Sequence, residues 1–349
     1  MAAYIVKRIL LMIPTLFGIM LITFIVTQFV PGGPVEQLIH QLQGHAAQGE
    51  VGSGGGGLYQ GQKGLDPEMV DQLRAFYGFD KPVYVRFFDM IGNYLRFDFG
   101  DSYFHNRTVV QLIVDKLPVS VSLGMWSFLI TYLVCIPLGI AKAVRDGTRF
   151  DVMSSTLVLV GYSIPGFVLA IVLLVLFGGG SFLDVFPLRG LVSDGWAAFP
   201  WYDQILDYLW HMVLPITCLS IGSLAIMTML TKNSFLEEIR KQYVITARAK
   251  GLDERAVMYR HVFRNAMIPL VTGFPAAFLG AFFTGALLIE KIFSLDGLGL
   301  LAYESVIQRD YPVVLGTLYM FSIIGLVGKL LSDLSYVLID PRIQFEAIE

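Results

Sequence analysis

Six long apolar runs constrain this 349-residue chain more than any other feature of its sequence. A helix needs about 20 consecutive apolar residues to cross a bilayer, and such a run folds as a helix because lipid cannot satisfy its backbone. Charged residues make up only 15% of the chain, against about a quarter in soluble domains. The runs lie at residues 9–30, 119–141, 152–177, 212–230, 268–289 and 313–338. We therefore predict an all-α integral membrane protein with six transmembrane helices.

The apolar runs divide the chain into four regions. Residues 1–30 hold the first transmembrane helix. We expect it to be retained, because its apolar run is too long for a usual signal peptide and no small-residue cleavage site follows it. Residues 31–116 form an extended segment outside the membrane. Residues 117–338 hold the other five helices, with a polar loop at 232–268, and residues 339–349 form a tail.

Lysine and arginine predict the orientation, since short cytoplasmic loops carry an excess of both. Lys7 and Arg8 precede the first run, and the loop after the second run is also basic. The loop between the fourth and fifth runs is the richest, with Lys232, Arg240, Lys241, Arg248, Lys250, Arg255, Arg260 and Arg264. Both termini and this loop are therefore expected in the cytoplasm, and residues 31–116 in the periplasm or exterior.

The external segment has two parts. Residues 44–64 are rich in glycine and poor in apolar side chains, so we expect a flexible loop. Residues 66–116 carry many aromatic side chains and predict a small folded subdomain that lies on the membrane or on the ends of the spans. Its aromatic surface either serves packing alone, or receives a partner or guides substrate, and the sequence leaves both interpretations open.

Small residues recur at four-residue spacing in the fifth run, at Gly273, Ala277, Ala281 and Gly285, and at Ala276 and Gly280. Such faces let helix backbones approach closely in lipid. Prolines such as Pro165 and Pro275 interrupt or bend the runs. These features indicate either a mobile bundle, as a transporter needs, or ordinary packing between membrane helices.

Few residues within the runs suggest chemistry. Lys329 and Asp333 lie one turn apart in the sixth run, and we expect them to pair with each other. No run carries the several carboxylates that a proton or ion relay would use. The five histidines are scattered without metal-ligand spacing, and no phosphate-binding Gly-Lys-Ser/Thr motif occurs. We therefore predict no catalytic residue, no metal and no cofactor in this chain.

The loop between the fourth and fifth runs is the most informative polar segment. Its alternating small and basic side chains predict a short helix that ends at Gly251, because glycine adopts a left-handed turn that other residues resist. Asp253 can cap a second helix that runs to Asn265. One interpretation is an amphipathic loop held by anionic lipid. Ala247 and Ala249 favour another, since they offer lipid little apolar area and suit a cleft in a partner protein.

This loop resembles the ATPase-docking loop of binding-protein-dependent permeases of ABC importers. Residues 245–251 match the Glu-Ala-Ala-x-x-x-Gly signature of that family, except that Ile245 and Thr246 replace its first two residues. The oligopeptide/dipeptide branch departs in a similar way, with Thr-Ala-Arg-Ala-Lys-Gly and a later Arg-Asn-Ala-x-x-Pro, found here at 246–251 and 264–269. Further motifs of this branch, at residues 78–82, 97–102, 116–118, 293–299 and 309–312, extend the resemblance over nearly the whole chain.

The resemblance implies the type I ABC importer permease fold and a place in the bacterial inner (cytoplasmic) membrane. It implies a hetero-dimer with a second, different permease subunit, a cytoplasmic ABC ATPase whose two nucleotide-binding domains bind ATP and Mg, and a periplasmic solute-binding protein. The cargo would be peptides, including peptide-nucleotides of the microcin C type in a narrower subgroup with a longer external segment. Transport would proceed by alternating access. Membrane lipid is a further contact, and no nucleic acid is expected.

Three sets of residues are assigned roles on this basis. The ATPase coupling set comprises Tyr243, Thr246, Ala247, Arg248, Ala249, Lys250, Gly251 and Leu252. The set for an external gate or a contact with the binding protein comprises Asp296, Gly297, Gly299, Arg309 and Asp310. The set for the translocation cavity comprises Ser127, Thr131, Ser163 and Thr284. A membrane scaffold and a channel stay open as alternatives, although neither needs a glycine-broken basic loop.

Overall fold

The computed structural model describes residues 2–29, 80–179, 182–283 and 286–339. Within these ranges the chain is helical, with two isolated β-bridges and no longer strand, which confirms the all-α class. The helices are α1 (Ala2–Phe29), α2 (Val83–Tyr94), α3 (Val109–Val144), α4 (Arg149–Ser163), α5 (Gly166–Phe177), α6 (Trp201–Ile239), α7 (Gln242–Ala249), α8 (Glu254–Ala266), α9 (Ile268–Phe283), α10 (Leu287–Ile292), α11 (Leu298–Gln308) and α12 (Tyr311–Ile339). The predicted glycine-rich loop at 44–64 lies outside the described residues.

Contacts divide the chain into two compact units. Unit 1 comprises Met1–Ile9, Asp115–Leu301 and Phe321–Glu349, and unit 2 comprises Leu10–Val114 and Ala302–Met320. Each unit is described by itself below.

Four helices are long and apolar enough to cross a membrane on their own, namely most of α1, all of α3, all of α6 and most of α12. Two bent pairs meet the same criterion together: α4 with α5, and α8 with α9. The described chain therefore has four spans, or up to six if each bent pair forms one span. The six apolar runs of the sequence correspond to four continuous helices and two interrupted ones.

The predicted third span is two helices that meet at 92°. α4 ends at Ser163, and Pro165 precedes α5 without an N–H to continue the hydrogen bonds of α4. Ile164, the residue before the proline, has the extended backbone that a following proline favours. Gly166 begins α5, where an added Cβ would lie 2.9 Å from the carbonyl oxygen of Cys218 on α6. The bend therefore depends on Pro165, and the close approach of α5 to α6 depends on Gly166.

The predicted fifth span, at 268–289, is shorter as a helix than as an apolar run. α9 has 16 residues, which is about 24 Å at 1.5 Å per residue, against a hydrocarbon core of about 30 Å. It meets α8 at an angle of 51°. Thr284 and Gly285 lie outside the described residues, and the end of the apolar run forms α10.

Small residues bring α9 close to two neighbouring helices of unit 1. A Cβ added to Gly124 of α3 would lie 1.5 Å from the carbonyl oxygen of Ala281, and one added to Gly328 of α12 would lie 3.3 Å from the Cα of Ala276. Gly273, by contrast, has nothing within 4 Å of its added Cβ. The prediction that small residues of the fifth run permit close approach is therefore confirmed at Ala276 and Ala281.

The expected pair between Lys329 and Asp333 is wrong. Asp333 Oδ2 lies 2.8 Å from Arg8 Nη2 and accepts the hydroxyl of Tyr4 at 3.3 Å. These contacts join the start of α1 to α12 within unit 1. The spacing along one helix identified a possible partner, whereas the fold brings Arg8 and Tyr4 to Asp333 from the other end of the chain.

Aromatic side chains form the centre of unit 2. The ring of Phe87 on α2 lies 5.5 Å from that of Phe17 and 5.3 Å from that of Phe24, both on α1. Tyr94, at the end of α2, makes an edge contact with Phe99 at a centroid distance of 4.9 Å. Such edge and tilted contacts suit the charge distribution of aromatic rings. Packing, one of the two interpretations left open above, therefore accounts for these residues.

Candidate coupling segment, external loop and cavity

The predicted docking loop is a helix–turn–helix formed by α7 and α8 in unit 1. Gly251, between the two helices, has a φ of +79°, which is the left-handed conformation that favours glycine. Its N–H donates to Arg248 O at 2.9 Å. Asp253 caps α8 by accepting the N–H of Arg255 at 3.2 Å. The predicted turn at Gly251 and the predicted cap at Asp253 are both confirmed.

α7 has one face that packs inside this chain. Val244 is fully buried and Ala247 is 6% exposed. Both belong to an apolar cluster that includes Phe235 of α6 and Val257 and Ala266 of α8. This corrects the expectation that Ala247 enters a cleft in a partner, because its methyl group is already covered by this chain.

The other face of α7 and its turn is exposed. We call this surface the coupling face, and it consists of Thr246, Arg248, Ala249, Lys250, Gly251 and Leu252. Apart from Leu252, which is 42% exposed, its side chains are small or basic, with no broad apolar stripe of the kind that binds a lipid surface. Six of the eight predicted coupling residues are therefore available for contact, and Tyr243 and Ala247 instead hold the segment in place.

The hydroxyl of Tyr243 fastens α7 to the helices on both sides of it. It donates to Glu238 Oε2 of α6 at 2.5 Å and accepts a hydrogen bond from Asn265 Nδ2 of α8 at 3.1 Å. Burial, followed by the bond to Glu238, raises the pKa of Tyr243 to about 12. The phenol therefore keeps its proton at neutral pH. Lys241 also bonds Glu238, so the junction of α6 and α7 is held by two donors on one carboxylate.

An exposed ion pair bridges the turn between α7 and α8. Arg248 donates to Glu254 through Nε at 2.7 Å and through Nη2 at 3.1 Å. Exposed pairs of this kind contribute only about 0.2–1 kcal/mol. Arg248 can therefore exchange this partner for another at small cost.

α8 contains a π-helical turn over Val257–Val262, a feature that the sequence pattern does not predict. π-Helical turns are rare, and those that occur are often found at functional sites. Both of its terminal valines are buried in the cluster that also covers Ala247. The wide turn is therefore part of the base on which α7 rests.

A buried ion network, also missed from the sequence, joins three helices of unit 1. Lys142 of α3 is fully buried, and its Nζ donates to Ser154 Oγ at 2.9 Å and Ser155 Oγ at 2.6 Å of α4. The same Nζ lies 3.2 Å from Asp151 Oδ1, and Lys232 of α6 donates to Asp151 Oδ2 at 2.7 Å. A buried charge is costly without such partners. The network therefore holds α3, α4 and α6 together at this end of the unit.

Glu290 lies in the segment 286–300, which holds α10 and the start of α11 and which we call the external loop after its predicted side of the membrane. Its side chain is fully buried and accepts the N–H groups of Ala286 at 3.1 Å and Leu300 at 2.7 Å, and it also bonds the N–H of Gly299. A Cβ added to Gly297 would lie 2.6 Å from Glu290 Cδ. The sequence drew attention to the two glycines but not to Glu290, which follows the predicted fifth span directly.

The predicted gate residues belong to two different units. In unit 1, the Asp296 side chain pairs with Lys116 and is 65% exposed. In unit 2, Arg309 has a φ of +57°. Asp310 is fully buried and accepts the hydroxyl of Ser102 and the N–H of Tyr103, the latter at 3.1 Å. Asp310 therefore stabilises unit 2 internally.

The three described residues of the set predicted for the translocation cavity do not line the cavity at the bend between α4 and α5. Ser127 accepts a hydrogen bond from Ser220 at 3.3 Å, and Thr131 is 6% exposed. Ser163 donates to a carbonyl of its own helix at 2.9 Å. Thr284 lies outside the described residues.

A cavity of about 440 Å³ instead lies at the bend between α4 and α5. It is lined mainly by apolar residues, namely Tyr162, Ile164, Pro165, Gly166, Phe167, Cys218, Leu219, Ile221, Gly222, Ala286, Leu287, Leu288 and Ile289. Pro165 and Gly166 create the bend, so the interrupted helix is also what forms this space. In the part of the chain that the structure describes, no three His, Cys, Asp or Glu side chains are placed to hold a metal ion.

The helices define a class, a membrane protein with four to six candidate spans, in which α7 and its turn form an exposed surface. Comparison with known proteins is consistent with this class. Residues 135–345 match the family described as "Binding-protein-dependent transport system inner membrane component". The chain belongs to this family of inner-membrane permeases.

Similar proteins span the whole chain. The chain is 57% identical to "Peptidoglycan transport system permease protein YejB" of Agrobacterium fabrum, over 99% of each chain. It is 54% identical to "Inner membrane ABC transporter permease protein YejB" of Escherichia coli O157:H7, over 99% of this chain and all of the relative. It is 30% identical to "Oligopeptide transport system permease protein AppB" of Bacillus subtilis, with the same coverage.

Proposed function

We propose that this chain is a permease subunit of an ATP-driven ABC importer that moves peptides from the periplasm to the cytoplasm. The observation that carries the proposal is the coupling face, which is exposed while its base is fixed by Ala247 and Tyr243. A surface on such a base can be pushed by a partner without deforming. Membership in the binding-protein-dependent family supports the ABC context, and the names of similar proteins support a peptide cargo.

The proposed topology places both termini and the coupling face in the cytoplasm. The excess of lysine and arginine in the loop that carries this face supports the topology. The partners are then a cytoplasmic ABC ATPase with two nucleotide-binding domains, a second and different permease subunit, and a periplasmic solute-binding protein. ATP and Mg bind to the ATPase, and this chain itself carries out no hydrolysis.

A movement of α7 would be transmitted to the membrane helices through the residues that α7 contacts. The inner face of α7 contacts Phe235 of α6 and Val257 of α8, and α8 continues into α9. α6 in turn packs on the bend of α4 and α5, where the 440 Å³ cavity lies. A shift of the coupling face would therefore move the walls of that cavity. ATP drives alternating access only if the ATPase binds the two states of the permease with different strength.

The proposed cargo is peptide, including peptide-nucleotides of the microcin C type. A second candidate, fragments of peptidoglycan, is favoured by the printed name of the relative that is 57% identical. The two candidates share a short peptide chain, so one translocation route would serve both. They differ in the sugar or nucleotide that the peptide carries.

The test is uptake by the complete complex, purified from its native membrane and reconstituted in vesicles with the binding protein outside and ATP inside. We expect labelled tripeptide to accumulate with ATP and not with ADP, and unlabelled muropeptide or microcin C to compete if it is also cargo. Accumulation that does not depend on ATP would favour a channel. Purification of the chain without any ABC ATPase, under conditions that preserve such complexes, would favour a scaffold.

A further inference from the structure

α2 presents two different flanks beside its buried face. The buried face contains Phe87 and Tyr94, which are 5% and 4% exposed. The apolar flank consists of Tyr84, Phe88 and Leu95, which are 67%, 63% and 72% exposed. The polar flank consists of Arg86, Asp89 and Asn93, and it lines a cavity of about 280 Å³ in unit 2. A short helix with large exposed apolar side chains on one side and charges on the other is typical of a membrane interface.

The contacts of Phe87 fix the level of α2 along α1. Phe87 packs against Phe17 and Phe24 of α1, at centroid distances of 5.5 Å and 5.3 Å. These two residues lie roughly 18 Å and 8 Å before Phe29 along the helix axis, at 1.5 Å per residue. α1 is a candidate membrane span, and the hydrocarbon core is about 30 Å thick. The middle of α2 therefore lies beside the membrane-spanning part of α1, below its Phe29 end.

Arg86 reaches a different level of α1 from its neighbour Phe87. Its Nη2 donates to Gln28 Oε1 at 2.6 Å, next to the Phe29 end of α1. A long basic side chain that reaches from an apolar level towards the membrane surface is the behaviour called snorkelling. The contact of Arg86 therefore lies nearer the Phe29 end of α1 than the contacts of Phe87, as expected if the polar flank of α2 faces water.

The charges of α2 are also confined to its polar flank. Asp89 pairs with Lys81 at 3.1 Å, and both side chains are 53% exposed. The apolar flank carries no charge, and α1 itself exposes large apolar side chains, among them Ile22 at 65% and Phe29 at 80%. Because Phe87 packs beside the candidate span α1, this uncharged flank lies at the level of the lipid.

We infer that α2 is an interfacial helix whose apolar flank, Tyr84, Phe88 and Leu95, is inserted among lipid acyl chains on the Phe29 side of the bilayer. In the topology proposed above this is the periplasmic half. α2 then anchors unit 2 to the lipid, and its polar flank stays open to water beside the 280 Å³ cavity. The inference goes beyond transport itself, because it requires neither a cargo nor ATP.

Phe88 and Asp89 offer a matched pair for the test, since they are adjacent, both exposed and on opposite flanks. Phe88→Cys and Asp89→Cys would each carry a nitroxide label in the complete complex, reconstituted in vesicles of phosphatidylethanolamine and phosphatidylglycerol. The native Cys135 and Cys218 are buried and would be replaced by alanine. Collisions of the label with oxygen report lipid, and collisions with a water-soluble nickel chelate report water.

We expect the label at position 88 to collide more with oxygen and less with nickel than the label at 89. Tyr84→Cys should repeat the result of Phe88→Cys, so loss of one variant to misfolding leaves the test intact. Strong nickel collisions at both 84 and 88 would overturn the inference, because the flank would then face water. Weak collisions with both reagents would overturn it too, because protein would then cover the flank. ATP-dependent uptake by the same vesicles reports on the proposed function separately.

Discussion

The coupling turn and the external loop both depend on a glycine, but for opposite physical reasons. Gly251 has a φ of +79° and nothing within 4 Å of an added Cβ. Gly297 has a φ outside the left-handed region, and an added Cβ would lie 2.6 Å from the carboxyl carbon of Glu290. The first position needs a backbone conformation, and the second needs the absence of a side chain. The coupling turn is therefore open at Gly251, whereas in the external loop the Glu290 carboxylate fills the space beside Gly297.

The largest expected loss of stability comes from adding a side chain at Gly297, where there is no space for it, and not at Gly251, where there is. Gly297→Ala should lower the free energy of unfolding by about 3 kcal/mol, because displacing Glu290 leaves buried N–H groups without their acceptor. Gly251→Ala meets open space and should cost only the left-handed conformation, about 1 kcal/mol. Thermal unfolding of the purified complex in detergent measures both. Gly273→Ala, at a position with an ordinary φ and open space, is the control. Equal losses of stability in Gly251→Ala and Gly297→Ala would contradict the proposed difference between the two glycines.

A second prediction tests whether position 251 requires a residue that tolerates a positive φ. Gly251→Val should destabilise the turn by about 1–2 kcal/mol, because a β-branched residue resists a positive φ, and should abolish ATP-dependent uptake with membrane insertion intact. Gly251→Asn is the matched control, since asparagine tolerates this conformation and should retain most uptake. Insertion is checked by the amount of chain in the membrane fraction. Undiminished uptake in the valine variant would contradict the assigned role of the turn.

The third prediction concerns the base of the coupling face. Tyr243→Phe removes the hydroxyl that joins Glu238 and Asn265 and should cost about 1 kcal/mol of stability. Because α7 is then held less firmly, the ratio of peptide imported to ATP hydrolysed should fall. Both rates are measured in the same vesicles. Tyr259→Phe is the control, since Tyr259 is 66% exposed and should leave the ratio unchanged. An unchanged ratio in Tyr243→Phe would mean that the hydroxyl serves stability alone.

The smallest effect is expected at the ion pair across the turn. A double-mutant cycle of Arg248→Ala and Glu254→Ala should give a coupling energy below about 1 kcal/mol in thermal unfolding, because both side chains are exposed. Arg248→Ala should weaken binding to the ATPase more than Glu254→Ala does. A large coupling energy would instead make the pair a structural element of the turn.

Local patterns in the sequence predicted the coupling turn well and the external loop poorly. Gly251 and Asp253 act on residues within a few positions of themselves, so composition and order were enough to predict a turn and a cap. Glu290 accepts an N–H from Leu300, across the loop, and its burial depends on how the loop folds back. The family resemblance singled out Gly297 but could not say that a carboxylate occupies the space beside it.

Partners distant in sequence account for the other differences. Asp333 bonds Arg8, and Lys142 and Lys232 share Asp151, whereas spacing along one helix proposes only near neighbours. Pro165 predicted a break in the third span but not an angle of 92°, which is set by packing on α6. The inward orientation of Ala247 was also beyond the sequence, because α7 has small residues on both faces and no strong apolar stripe.

The central claim is that an ATPase contacts the outer face of α7 and not its inner face. Ala247→Cys and Ala249→Cys test it directly, since they place the same side chain two residues apart on the buried and exposed faces. Each variant, in a background without Cys135 and Cys218, would be treated in native membranes with a short thiol-to-amine cross-linker and analysed by mass spectrometry. We predict a cross-link from position 249 to an ABC ATPase and none from 247. Absence of an ATPase cross-link at 249, with the chain present in the membrane, would contradict the account.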